Sequence, residues 1–60
     1  MNNIIKIKNN LVNLNEINTI QYDEKEDVLD IYFKNGLLIS IENVDQYYFK
    51  DLFNRINNML

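Results

Sequence analysis

Five carboxylates fall within eight consecutive positions: Asp23, Glu24, Glu26, Asp27 and Asp30, with Lys25 the one basic residue among them. Carboxylates gathered this closely can bind a hard cation, exchange protons with a substrate, or present negative charge to a basic surface. A calcium loop needs the D-x-[DN]-x-[DN]-G order and a bidentate glutamate at its twelfth position, and the stretch has neither. Acid–base work by a pair such as Asp23 and Asp30 needs a deep pocket to raise one pKa, for which 60 residues leave little room. Presenting charge needs only exposure. The cluster could then imitate the phosphates of a nucleic acid, occupying a basic groove on another protein and speeding the encounter. The plain alternative is a solvated hairpin loop that keeps a small protein soluble.

Other chemistry has little material. There is no His and no Cys, one Ser (Ser40) and one Thr (Thr19), which excludes the common nucleophile–base pairs and the usual metal ligands. No enzyme activity, cofactor or metal is expected. Four tyrosines, Tyr22, Tyr32, Tyr47 and Tyr48, suggest a base-stacking surface at first sight, but such surfaces need basic neighbours. Nine acidic against six basic residues give a net charge of -3, the wrong sign for direct nucleic-acid binding. Tyr32 and Tyr47 read better as protein-contact residues, since tyrosine is enriched in protein interfaces.

No apolar run approaches the roughly 20 residues that span a bilayer, and Met1 to Lys8 has neither the apolar centre nor the cleavage site of a secretory signal. A cytoplasmic protein without membrane contact is the expectation. Twelve Asn and nine Ile beside no Ala, Pro, Trp, Cys or His form an AT-rich codon vocabulary, which points to a low-GC bacterium or its phage.

The elements that must position these residues follow from periodicity. With one Gly, no Pro and no linker, residues 1–60 read as a single domain. A domain of this length buries only about 60% of the surface its unfolded chain exposes, and with no Cys or His it has no covalent or metal staple. Ile5 and Ile7 alternate with lysines, and Val12 and Leu14 alternate with Leu11 and Asn13, the period of half-buried strands. A turn at Asn9-Asn10 would set Ile7 opposite Val12 and Ile5 opposite Leu14. After a bend at 15–18, alternation resumes with Ile20 and Tyr22 inward. A four-residue loop, Glu24 to Asp27, then sets Tyr22 opposite Leu29 and Ile20 opposite Ile31.

Lys34-Asn35-Gly36 is a test of register. Asn-Gly suggests a two-residue hairpin turn, but that pairing puts Leu29, Ile31 and Phe33 on the opposite face from Leu37, Ile39 and Ile41. A three-residue loop with Gly36 in the left-handed position pairs Phe33 with Leu37, Ile31 with Ile39 and Leu29 with Ile41, and so unites all six. From about Asp45 to about Met59 the period becomes helical: Tyr48, Phe49, Leu52, Phe53, Ile56, Met59 and Leu60 form one stripe, with Asn43 or Asp45 as N-cap.

The expected fold is therefore α+β, an antiparallel β-meander of four to five short strands with one C-terminal amphipathic helix packed on its apolar face. Leu11, Val28, Tyr32 and Leu38 would stand on the outer sheet face and Tyr47 on the outer side of the helix. The candidate partner-binding residues are Asp23, Glu24, Glu26, Asp27, Asp30, Tyr32, Leu38 and Tyr47.

The stretch from Leu11 to Ile41, with Asn-Glu-Ile-Asn-Thr-Ile-Gln-Tyr, an acidic turn and Asn-Gly between strands, resembles the outline of many short bacterial and phage proteins, including a small flagellar-operon family. In size, acidity and AT-rich vocabulary the chain is similar to phage-encoded inhibitors of bacterial defence, the anti-CRISPR type. That resemblance implies a larger host protein as partner, such as a defence nuclease complex. The alternative is a homodimeric structural or regulatory subunit of a bacterial assembly, built by pairing edge strands or helix faces.

Overall fold

The computed structural model describes residues 3–60. The order of elements is β1 (Ile4–Ile7), β2 (Asn10–Asn13), a 3-10 turn (Leu14–Glu16), β3 (Ile17–Asp23), β4 (Val28–Phe33), β5 (Leu38–Ile41) and α1 (Gln46–Met59). The fold is α+β, as the alternation and the C-terminal stripe require. The five strands form two sheets rather than one meander: a β1–β2 hairpin and a three-stranded antiparallel sheet in the order β3-β4-β5. The break falls at the 3-10 turn, where the Asn13 side chain accepts the Asn15 N–H and the Ile17 N–H returns to the Leu14 carbonyl.

The three-stranded sheet has the expected register. Tyr22 pairs with Leu29 and Ile20 with Ile31, and across the other ladder Ile31 pairs with Ile39 and Leu29 with Ile41. The Phe33 N–H donates to the Leu37 carbonyl at 2.9 Å, and Gly36 stands at φ 92 inside the three-residue loop. Leu37 itself lies at the loop and is 63% exposed, so it adds little to the apolar face.

The first hairpin differs from expectation. Ile5 pairs with Val12 and Ile7 with Asn10, so the turn residues are Lys8 and Asn9, not Asn9 and Asn10. Leu14 belongs to the 3-10 turn, its N–H donating to the Asn3 carbonyl at 2.8 Å. The displacement keeps parity: Ile5, Ile7 and Val12 stay on one face and are buried. Lys8 takes φ 55, a left-handed conformation unusual for lysine, and Tyr48 of α1 holds it there.

The core consists of Ile5, Ile7, Val12, Leu14, Leu29, Ile31, Ile41, Val44 and Leu52, with Tyr22, Phe33, Tyr48, Phe49 and Ile56 among the half-buried residues packed around it. Both sheets and the helix contribute, so the hairpin shares the core although, among the described residues, it forms no ladder with the larger sheet. Helix α1 begins at Asp45, whose side chain accepts the Tyr48 N–H at 2.8 Å; Asn43 instead adopts φ 60 in the preceding connection. The Tyr22 and Phe49 rings stack 4.3 Å apart, which fixes the helix against the inner face of β3. Two residues of the apolar stripe stay open to solvent: Phe53 is 54% and Leu60 84% exposed.

Candidate protein-binding surface

Four of the eight candidate residues, Asp23, Asp30, Tyr32 and Leu38, share the outer face of the three-stranded sheet, and Glu24, Glu26 and Asp27 follow in the β3–β4 loop. On the outer face of the three-stranded sheet, Tyr32 pairs with both Thr19 and Leu38, Asp30 pairs with both Gln21 and Ser40, and Asp23 pairs with Val28. The β3–β4 loop carries Glu24, Glu26 and Asp27 directly beyond that last pair. Charge is therefore concentrated at one end of the face, and Tyr32 and Leu38 stand at the other.

The carboxylates are not equivalent. Asp23 Oδ1 accepts the backbone N–H groups of Lys25 at 3.0 Å and Glu26 at 3.2 Å, an Asx turn that shapes the loop. Asp27 is half-buried at φ 56, and its carbonyl accepts the Val44 N–H at 2.8 Å, tying the loop to the β5–α1 connection. Asp30 accepts the Ser40 hydroxyl at 2.6 Å across the β4–β5 ladder. Glu24 and Glu26 are exposed. Gln21, Tyr22, Asp23, Glu24, Lys25 and Asp30 line a shallow depression of about 580 Å³.

Tyr22 links this loop to the core. Its hydroxyl donates to the Val44 carbonyl at 2.8 Å. Burial raises its pKa above the usual 10.0, and the carboxylates of Asp27, Asp45, Glu24 and Asp23 push it in the same direction. The acidic loop thus adds to burial in making the Tyr22 hydroxyl harder to ionise.

At the other end, Leu38 is 52% exposed and Tyr32 half-buried, its hydroxyl 3.4 Å from Gln21 Oε1. The structure separates Tyr47 from this group. It is 84% exposed on α1, and α1 covers the opposite face of the sheet. A helical stripe identifies the outer side of a helix but not which way that side faces relative to a distant strand.

The feature that alternation did not reveal is a groove of about 370 Å³ between β3 and α1, lined mainly by Ile17, Ile20, Phe49, Leu52, Phe53, Ile56 and Leu60. Alternation sets Ile20 inward and the helical period joins Phe49, Leu52, Phe53, Ile56 and Leu60 in one stripe, while Ile17 falls in the expected bend.

Among the described residues, no group of three His, Cys, Asp or Glu side chains could hold a metal ion, and no helix is long and apolar enough to cross a membrane. No protein-family model, curated protein or solved structure matches this chain.

Proposed function

We propose that this is a non-enzymatic binding protein that engages and inhibits a larger host protein through its acidic β3–β4 loop and the outer face of β3, β4 and β5. A bacterial host cytoplasm, and a defence nuclease complex as target, fit its acidity and its likeness to phage-encoded inhibitors. The observation that carries the reading is that Asp23, Asp30, Tyr32 and Leu38 share one face of the sheet, with Glu24, Glu26 and Asp27 in the loop at its end. Exposed carboxylates at one end would steer the encounter with a basic groove. Tyr32 and Leu38 at the other would supply the apolar anchor that such contacts need.

The test uses a variant with Asp23→Asn, Glu24→Gln, Glu26→Gln and Asp27→Asn, which removes four of the nine acidic charges. Asn at position 23 keeps an Oδ1 acceptor for the turn, and Asn tolerates the left-handed backbone at position 27. Capture from host lysate of a protein that the wild type retains and this folded variant loses is the expected result. Retention of the same protein by both, or no specific capture, overturns the reading.

A further inference from the structure

We infer that a second copy of this chain fills the groove between β3 and α1, by antiparallel pairing of the two β3 edges about a two-fold axis near Ile20. Four observations point to a second copy as the occupant. The first is the edge itself. Among the described residues β3 pairs only with β4, and at seven residues it is the longest strand of the protein. Natural edge strands of that length are usually guarded by Lys, Pro, inward charge or a bulge. Ile17–Asp23 has no Lys or Pro and no charge before its last residue; its one irregularity lies between Ile17 and Thr19 and leaves Ile20–Asp23 in regular register.

The second is the chemistry of the groove. Its lining is apolar except for Asn18 and Asn57, and none of it is charged. In a chain with fifteen charged residues, an uncharged strip of this kind offers a basic or acidic partner nothing to pair with. It does suit an identical strip.

The third is self-complementarity, which a two-fold contact requires. Phe49 stacks on Tyr22 near the end of β3, while Ile56 and Leu60 share the groove with Ile17 at its start. The helix therefore runs antiparallel to the strand, and Phe53 falls midway beside Ile20. A two-fold axis there brings the half-exposed Phe53 of each copy against the other. It also joins the two sheets into one six-stranded sheet, with both outer faces on the same side.

The fourth is charge. Each chain carries -3, with the acidic loop at the C-terminal end of β3. Antiparallel pairing sends the two loops to opposite ends of the joint sheet. Seven residues at about 3.3 Å each separate them by about 23 Å, more than twice the roughly 8 Å Debye length at physiological salt. Self-repulsion is then largely screened. A stable dimer needs about 800 Å² from each partner, a modest share of the 4603 Å² this chain exposes.

The experiment is sedimentation of the intact chain from about 1 to about 500 µM, with amide hydrogen exchange on β3 at both ends of the range. Wild type should pass from 7.2 kDa toward twice that mass as concentration rises, and β3 amides should gain protection in the dimer. Phe53→Glu should abolish association. Leu60→Glu, at a residue too exposed for its loss to unfold the chain, should weaken it at least tenfold. The four-residue loop variant should dimerise like wild type, which separates this inference from the host-binding reading. A monomer throughout the range overturns the inference and leaves the groove to a strand from another protein. So does a dimer that resists Leu60→Glu, or one that leaves β3 exchange unchanged.

Discussion

The Tyr48 hydroxyl accepts the backbone N–H of Lys8 at 2.7 Å, while the ammonium group of the same lysine lies 4.3 Å from the centre of the Tyr48 ring. One helical side chain thus engages both ends of one turn residue. The hydroxyl pins a lysine backbone held at φ 55, and the ring face attracts its charge. Through this pair the first hairpin, which shares no ladder with the larger sheet, is latched to α1. Arg55, which also pairs with Asp51 at 3.0 Å, adds a longer contact from Nη1 to the Lys6 carbonyl at 3.4 Å.

Tyr48→Phe keeps the ring and removes the acceptor. Losing such a bond and leaving a half-buried N–H unpaired should lower stability by about 1 kcal/mol. For a domain of this size that is a fall in Tm of about 4–8 °C. Thermal unfolding followed by circular dichroism checks it, and an unchanged midpoint would show that the hydroxyl contributes nothing to the latch.

The register of β3, β4 and β5 was legible in the sequence because a slip of one residue would have turned Leu29, Ile31 and Phe33 away from Ile39 and Ile41. The first hairpin was not, for a related reason. Moving its turn from Asn9-Asn10 to Lys8-Asn9 leaves Ile5, Ile7 and Val12 on the same face, so the apolar pattern is blind to the change. The observed turn is held by the Tyr48 hydroxyl, forty residues away, and by the Asn10 side chain, which donates to the Ile7 carbonyl at 3.3 Å. Val44 was missed because it stands alone between Asn43 and Asp45, with no period to join. Among the candidate surface residues, those on paired strands could be placed from register alone. Tyr47 could not, since its position relative to the sheet depends on how the helix docks.

Gly36 at φ 92 is the point on which the β4–β5 register turns. A Cβ there would meet nothing within 4 Å, so the penalty for Gly36→Ala is backbone strain alone. We expect a loss of about 1 kcal/mol, within the roughly 1–2 kcal/mol for a left-handed residue, and a smaller loss for Gly36→Asn. Urea midpoints of the two variants give the order directly; equal loss in both would argue against left-handed strain.

Alkaline pH should destabilise the fold through Tyr22. Its pKa is raised in the folded state by burial and by Asp27, Asp45, Glu24 and Asp23, so the folded chain holds this proton more tightly than the unfolded one. The resulting stabilisation is complete below the unfolded value of 10.0 and fades as pH climbs through the higher folded value. Urea midpoints from pH 8 upward, compared with those of Tyr22→Phe, should show the wild type losing more than the variant above about pH 10. Parallel curves would exclude Tyr22 as the source.

Leu52 is fully buried and is the one residue of α1 in the central core. Truncation of such a leucine to alanine removes about 2–5 kcal/mol, whereas a domain this small holds only about 3–5 kcal/mol in all. Leu52→Ala should therefore be largely unfolded at 25 °C, seen as loss of the helical signal in far-ultraviolet circular dichroism. A cooperative, folded variant would mean that the helix is held mainly by its tyrosines.

The placement of the four tyrosines has an optical consequence. With no Trp in the chain, near-ultraviolet absorption and emission come from tyrosine, with a minor phenylalanine contribution. Tyr22 and Tyr48 sit between layers with their hydroxyls engaged, so their dichroism reports whether helix and sheets are closed. Tyr47 is open to solvent and Tyr32 looks out from the sheet, so quenching by a dissolved ion such as iodide reads the outside. The protein thus carries separate unlabelled signals for the closing of its core and for the covering of its surface.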